Sequence, residues 1–118
     1  MGKKVKLVRM KKWLTHVSMF IPLSKGETEV KVFYEDAPLW KKLILNLVKR
    51  YGKCVWRDSL DLVAVYEVPD DVMAVIYKLL SMNNWFDEQL IHKPLDEIKE
   101  WVDKNYKRYL AEKAVEPS

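Results

Sequence analysis

Five carboxylates are the residues of this chain best suited to metal-dependent chemistry. Glu35 and Glu67 lie at equivalent places, where a predicted strand runs into a predicted helix, and beside them are further acids, Asp36, Asp70 and Asp71. If brought together, such carboxylates could hold Mg²⁺ for phosphodiester cleavage. The simpler interpretation is that they cap helices and stabilise the positive ends of helix dipoles. We therefore predict no catalytic residues, no metal and no other cofactor, and keep a metal-dependent nuclease as the alternative enzyme.

Other reactive side chains are few. Neither of the two histidines, His16 in a predicted strand and His92 just before a proline, has a second ligand at metal spacing. The single cysteine, Cys54, is expected to be a small buried strand residue rather than a nucleophile, and it has no partner for an intrachain disulfide. The sequence contains no Cys-x-x-Cys pair, His-Glu-x-x-His motif, Gly-rich phosphate loop or Gly-x-Ser-x-Gly elbow. These absences favour a binding protein over an enzyme.

Basic residues are concentrated in the first half of the chain. Residues 1–60 contain 14 Lys/Arg against 5 Asp/Glu, and residues 61–118 contain 7 against 12. Clustered positive charge is what phosphate contacts need, although a solvated helix face would show the same lysines. We predict a non-enzymatic nucleic-acid-binding protein that uses a basic N-terminal arm and the outer face of the first helix. The predicted contact residues are Lys3, Lys4, Lys6, Arg9, Lys11, Lys12, Trp13, Lys41, Lys42, Lys49, Arg50, Lys53 and Arg57.

Aromatic residues support an alternative, a protein-interaction module with an aromatic surface on the C-terminal half. The chain has five tryptophans and six tyrosines, types that are enriched at protein–protein interfaces. Strand parity also places an apolar patch on the sheet face that points away from the helices. The C-terminal helix or a second copy of the chain should cover that patch, and we expect a homodimer. The predicted interface residues are Phe33, Val63, Val65, Trp85, Trp101, Tyr106 and Tyr109.

The elements that would position these residues form one α+β domain. Alternating patterns predict four strands, at about 14–23, 29–35, 54–56 and 62–67. Apolar stripes predict helices after Pro38, after Pro69 and from Pro94 to about Ala114. The order ββαββα favours a four-stranded antiparallel sheet with two helices on one face, plus a long C-terminal helix. Residues 1–12 are expected to be the basic arm, 13–114 the domain and 115–118 a frayed tail, and the two ββα segments align at a spacing of 32.

Composition excludes several classes of protein. Apolar residues make up 49% of the chain and charged residues 32%, which is typical of a globular domain and not of a disordered one. The apolar runs are far shorter than the roughly 18 residues that a membrane-spanning helix needs. No apolar core of a secretory signal follows the N-terminal lysines, so we expect a cytoplasmic protein with no membrane partner. Abundant Lys and Glu with a single Gln resemble the composition of proteins from hot environments.

Overall fold

The computed structural model of this chain describes residues 4–82 and 88–115. Within those ranges the chain forms β1 (Val5–Lys12), β2 (His16–Pro22), β3 (Glu27–Phe33), α1 (Leu39–Tyr51), β4 (Lys53–Arg57), β5 (Val63–Pro69), α2 (Asp70–Met82), a short 3-10 helix (Glu88–His92) and α3 (Leu95–Val115). All strand pairs in the sheet are antiparallel. The α+β class, the antiparallel sheet and the three helices are thus confirmed.

The sheet has five strands, in the order β3-β2-β1-β5-β4, so the prediction of four strands is wrong. The additional strand is β1, which occupies the centre of the sheet where we expected a basic arm. Val8 and Met10 of β1 are buried, whereas Arg9 between them is exposed. This alternation is typical of a strand, but it is hidden in the sequence because most of the other positions are lysines.

β1 joins two hairpins through antiparallel pairing on both of its sides. On one side Arg9 pairs with Phe20 of β2, and on the other side the same residue pairs with Val65 of β5. β1 therefore borders the first strand of the β2–β3 hairpin but the second strand of the β4–β5 hairpin. The two ββα segments that align at a spacing of 32 residues are consequently attached to the sheet in different ways.

Helices α1 and α2 cover one face of the sheet and enclose the core. α1 contacts β3 and β5, and α2 contacts β5 and β1. Residues from both helices are fully buried between the layers, including Leu43 and Leu47 of α1 and Ile76 of α2. α3 packs on α2, where Ile98 and Val102 are fully buried. Two ion pairs link these helices, Lys99 with Asp71 at 2.7 Å and Lys78 with Asp103 at 2.5 Å.

Two glycines mark chain reversals for different reasons. Gly26, in the β2–β3 turn, has φ +88°, a conformation that glycine adopts without steric cost. Gly52 ends α1, and its N–H donates to the carbonyl of Val48 at 2.9 Å. Its φ is an ordinary −83°, but an added Cβ would lie 2.4 Å from the Val48 oxygen and 3.2 Å from Cγ2 of Val68. Gly52 is therefore required by the close approach of α1 and β5.

At the other end of α1, the prediction that Asp36 caps the helix is wrong. The residue before the first helical turn is Pro38, and no side chain makes a capping hydrogen bond there. Proline fits this position because its fixed φ is suited to entering a helix and its missing N–H leaves one fewer donor unsatisfied.

We predict that Gly52→Ala lowers the free energy of unfolding by about 1–3 kcal/mol, because the new methyl group overlaps backbone that cannot move freely. Urea denaturation followed by circular dichroism measures this change. Gly26→Asn is the control, because a Cβ there meets no atom within 4 Å and Asn tolerates positive φ. Unchanged stability in Gly52→Ala would contradict the steric explanation.

Candidate functional site

We call the sheet face that points away from the helices the open face, because none of α1, α2 and α3 covers it. Exposed apolar side chains on it include Leu7, which is 57% exposed, and Trp56, which is 53% exposed. The strand register arranges its residues in rows that cross the sheet. One row is Glu29, Phe20, Arg9, Val65 and Trp56, and the next is Lys31, Ser18, Lys11 and Val63. The open face therefore mixes aromatic, aliphatic and basic side chains.

At one end of the open face, three aromatic rings lie in a line that we call the ring row: Trp13, His16 and Phe33. The Trp13 and His16 rings are stacked, with centroids 5.9 Å apart and planes inclined by 21°. The His16 and Phe33 centroids are 4.8 Å apart with a tilt of 37°. The ring row stays accessible, since Trp13 is 43% exposed and Phe33 is 42% exposed.

Hydrogen bonds fix Trp13 at the start of the ring row. Its indole N–H donates to the Ser18 hydroxyl at 3.0 Å, and that hydroxyl donates to the Glu29 carboxylate at 2.5 Å. The backbone N–H of Trp13 donates to the carbonyl of His16 at 2.8 Å, which closes the β1–β2 turn. Ser18 is completely buried beneath these groups. Trp13 is therefore held in place by hydrogen bonds within the chain.

Cations lie directly over rings on the open face. Lys11 Nζ is 4.1 Å from the centroid of Trp13, and the Arg9 guanidinium is 4.3 Å from the centroid of Phe20. Such contacts are attractive because the ring face is electron-rich. Arg9 also pairs with Glu27 at 3.1 Å, whereas Lys11 and Lys31 form no ion pair with any carboxylate of the described residues. Two cations that form no ion pair, Lys11 and Lys31, thus lie beside the ring row together with the Glu29 carboxylate.

The predicted nucleic-acid contacts do not form one continuous surface. Arg9, Lys11, Trp13 and Lys53 lie on the open face, and Lys53 pairs in register with Glu67. Lys6, Lys12 and Arg57 belong to the opposite parity and therefore lie on the helix side. Lys4 precedes β1 and is exposed, and Lys3 is outside the described residues.

The basic residues of α1 have different environments. Lys41 and Lys42 are half-buried, and Lys41 Nζ is 5.5 Å from the centroid of the Trp40 ring. Lys49 is exposed. Arg50 donates to the backbone carbonyls of Ile91 at 3.4 Å and of Lys93 at 3.3 Å. Arg50 therefore ties α1 to the segment before α3, which is a structural role.

The predicted interface residues also divide into two groups. Phe33, Val63 and Val65 lie on the open face, where the two valines are half-buried. Trp101, Tyr106 and Tyr109 of α3 are half-buried and pack against the core, and Trp85 lies outside the described residues. The α3 aromatics therefore contribute part of their surface to folding, which leaves less of it for a partner.

The carboxylates that could have formed a metal site are far apart. Glu67 lies in β5 and pairs with Leu7 and Lys53. Glu35 follows the end of β3, which β2 and β1 separate from β5, and it lies at the end where Phe33 pairs with His16. Asp71 instead bonds Lys99 and the N–H of Val72, and both contacts hold its pKa below the usual value, mainly through Lys99. No group of three metal-binding side chains occurs in residues 4–82 and 88–115.

On the helix side, Asp61 links two of the predicted basic residues. It lies in the β4–β5 turn with φ +57°, a conformation that aspartate adopts more readily than most residues. Its carboxylate accepts from Arg57 Nη1 at 2.7 Å and from Lys12 Nζ at 3.3 Å. Both hydrogen bonds lower the pKa of Asp61, and that from Arg57 has the larger effect. The hydrogen bond to Asp61 is in turn the main cause that raises the pKa of Arg57.

We predict that the Asp61 carboxyl titrates below the usual aspartate value of about 3.9 in the folded protein. Because the folded pKa is lowered, the contribution to stability is present above about pH 4 and is lost as the pH falls through the folded value. Carboxyl NMR titration measures this pKa, and Arg57→Gln should raise it. An unchanged Asp61 pKa in Arg57→Gln would show that Arg57 is not its main partner.

Sequence reasoning missed His16, Phe20 and Lys31 as members of the candidate site. The sequence places His16 in a predicted strand without a second metal ligand, and Lys31 within the predicted strand 29–35, but neither pattern marks a binding residue. The available signal was their shared parity with Ser18 and Phe33, which places them on the same face. That signal becomes useful only once the face is known to be uncovered.

No known protein family, curated protein or solved structure matches this chain. Among the described residues, none of the helices has the length and apolar character required to cross a membrane.

Proposed function

We propose that this protein binds single-stranded nucleic acid, without catalysis, on the open face of its sheet. The observation that carries the proposal is the ring row, with Trp13 and Phe33 each more than two-fifths exposed and Lys11 held 4.1 Å over the Trp13 ring. Exposed rings on a sheet provide stacking surfaces for unpaired bases, and neighbouring cations contact the phosphates. This combination supports a binding surface for nucleic acid more directly than lysines alone.

The geometry favours a single strand over a duplex. Rings that lie on a sheet can stack only on bases whose faces are free, and in a duplex those faces are already stacked on one another. Lys11 of β1 and Lys31 of β3 lie in one row across the sheet, with Ser18 of β2 between them. This row lies immediately beside the ring row. They are placed to contact the backbone of a strand whose bases meet Trp13 and Phe33.

The proposal changes the role that the sequence suggested for the basic residues. Arg9, Lys11 and Trp13 remain contact residues, now as members of a central strand and the turn after it. The lysines of α1 lie on the other side of the sheet from the ring row and contribute to binding at the ring row only through long-range attraction, which salt screens within about 10 Å at 0.1 M ionic strength.

We predict that Trp13→Ala weakens binding of a labelled oligothymidine by about 5- to 100-fold, since stacking contributes about 1–3 kcal/mol per base. Fluorescence anisotropy at several salt concentrations measures the affinity, and the same titration with a duplex should give weaker binding. Lys31→Gln should reduce the slope of log affinity against log salt concentration by the amount expected for about one lost phosphate contact.

Lys42→Gln is the matched control, because it removes the same charge from α1 and should leave the affinity nearly unchanged. Circular dichroism should show that every variant is folded. Equal affinity of wild type and Trp13→Ala, or no binding by wild type at low salt, would contradict the proposal.

Self-association is the second candidate, and the observation that favours it is Leu7. This residue is 57% exposed in the central strand, and Val5 and Trp56 add further apolar area to the open face. A second copy could cover this part of the face, as the predicted homodimer requires.

We expect Leu7→Glu to convert such a dimer to monomer, because a charge placed in an apolar interface must be desolvated. Sedimentation equilibrium measures the mass, with Leu14→Glu as the control, since Leu14 is 96% exposed in the turn after β1. A wild-type monomer at all concentrations would contradict self-association.

A further inference from the structure

A cavity of about 100 Å³ lies on the helix side of the sheet, on the opposite face from the ring row. Its apolar lining comes from the sheet and from the residue before β5, namely Met10, Val17, Leu62 and Ala64. Its polar lining comes from Lys12, Lys49, Arg57, Asp61 and Tyr66. The three cationic side chains come from β1, α1 and β4, so only the folded chain brings them together.

The charges around this cavity are only partly balanced. Asp61 accepts from Arg57 and Lys12, and the Tyr66 hydroxyl accepts from Arg57 Nη2 at 3.4 Å. Lys49 forms no ion pair with a carboxylate in the part of the chain that the structure describes. Three cations and one carboxylate therefore leave two positive charges facing one cavity.

We propose that Lys12, Lys49 and Arg57 bind a phosphate monoester or inorganic phosphate at this cavity. A doubly charged phosphate matches the two uncompensated positive charges. Guanidinium and ammonium groups that converge from three elements suit its several acceptor oxygens. A small carboxylate matches less well, because it carries one negative charge against the two positive charges that Asp61 leaves unbalanced. The volume of the cavity is smaller than the roughly 150 Å³ of a cavity that encloses benzene. The phosphate group would therefore occupy the cavity, and any group attached to it would remain outside.

The position of the cavity suggests two sources for the phosphate. Lys11 lies on the open face, Lys12 lines the cavity and Trp13 begins the ring row, so three consecutive residues link the two sites. A nucleic-acid strand on the ring row could place a terminal phosphate here, which rests on the proposed function. A free phosphate or a small phosphorylated molecule could bind equally well without it.

Thermal unfolding with increasing phosphate, at constant ionic strength set by chloride, tests the site independently of nucleic acid. We expect the Tm to rise with phosphate concentration and phosphorus NMR to show the bound ion. Lys49→Gln should weaken phosphate binding by at least about tenfold, as expected for a lost hydrogen bond between charged groups. Lys42→Gln, also on α1 but outside the cavity, should bind as wild type does.

Two further titrations distinguish the sources. A preference for a 5′- or 3′-phosphorylated oligothymidine over the unphosphorylated one, lost in Lys49→Gln, assigns the site to strand ends. If phosphate or a nucleoside monophosphate binds but the oligonucleotides show no such preference, the site is supported and its ligand is a free phosphate compound. No response to phosphate, monophosphate or phosphorylated oligonucleotide would overturn the site, whatever the affinity of the ring row. Tighter binding of acetate than of phosphate, or equal binding by Lys49→Gln, would also overturn it.

Discussion

The pairing of β1 with two neighbours at once determines most of the features described above. β1 donates and accepts hydrogen bonds along both edges, with Arg9 opposite Phe20 on one side and opposite Val65 on the other. Because successive side chains of a strand point to opposite faces, this register commits Val8 and Met10 to the core and Arg9 and Lys11 to the open face. A shift of one residue would exchange the two sets and place two charges in the core.

The open face shows how a sheet can carry aromatic rings in contact with water. Arg9 covers part of Phe20, Lys11 covers part of Trp13, and Ser18 is sealed beneath the Trp13 indole. The long apolar stems of Lys and Arg shield ring surface while their charged ends stay hydrated. The same contacts hold cations beside stacking surfaces, so one arrangement serves both the stability of the face and its proposed binding of a nucleic-acid strand.

Local patterns predicted the strands and α-helices after residue 13 but not the short 3-10 helix at Glu88–His92. The alternation that buries Val30 and Val32 and exposes Lys31 and Phe33 is present in the structure. The sequence did not predict β1, because lysines occupy positions near both of its ends. They conceal the short apolar alternation of Val8 and Met10, the two residues of β1 that enter the core. The β4 register could not be predicted either, since Cys54 pairs with Tyr66 and Trp56 with Val65, leaving Val55 as an extra, bulged residue.

The candidate sites were harder to predict than the elements, because each is assembled by pairing between distant segments. Lys12, Lys49 and Arg57 were all expected to contact nucleic acid, but nothing in their spacing predicts a shared cavity. That cavity exists because β1 pairs with β5 while α1 packs on β5. The ring row likewise needs the β2–β3 hairpin to bring Phe33 opposite His16. Parity assigns a residue to a face, but tertiary structure decides whether that face stays open.

The central claim is that the open face, and not the basic side of α1, is the binding surface. The most direct measurement is amide and indole NMR chemical-shift mapping during titration with oligothymidine. The account predicts that the largest changes occur at the Trp13 indole and at the amides of His16, Lys31 and Phe33. Changes confined to the outer side of α1, around Lys41 and Lys42, with the open face unaffected, would contradict it.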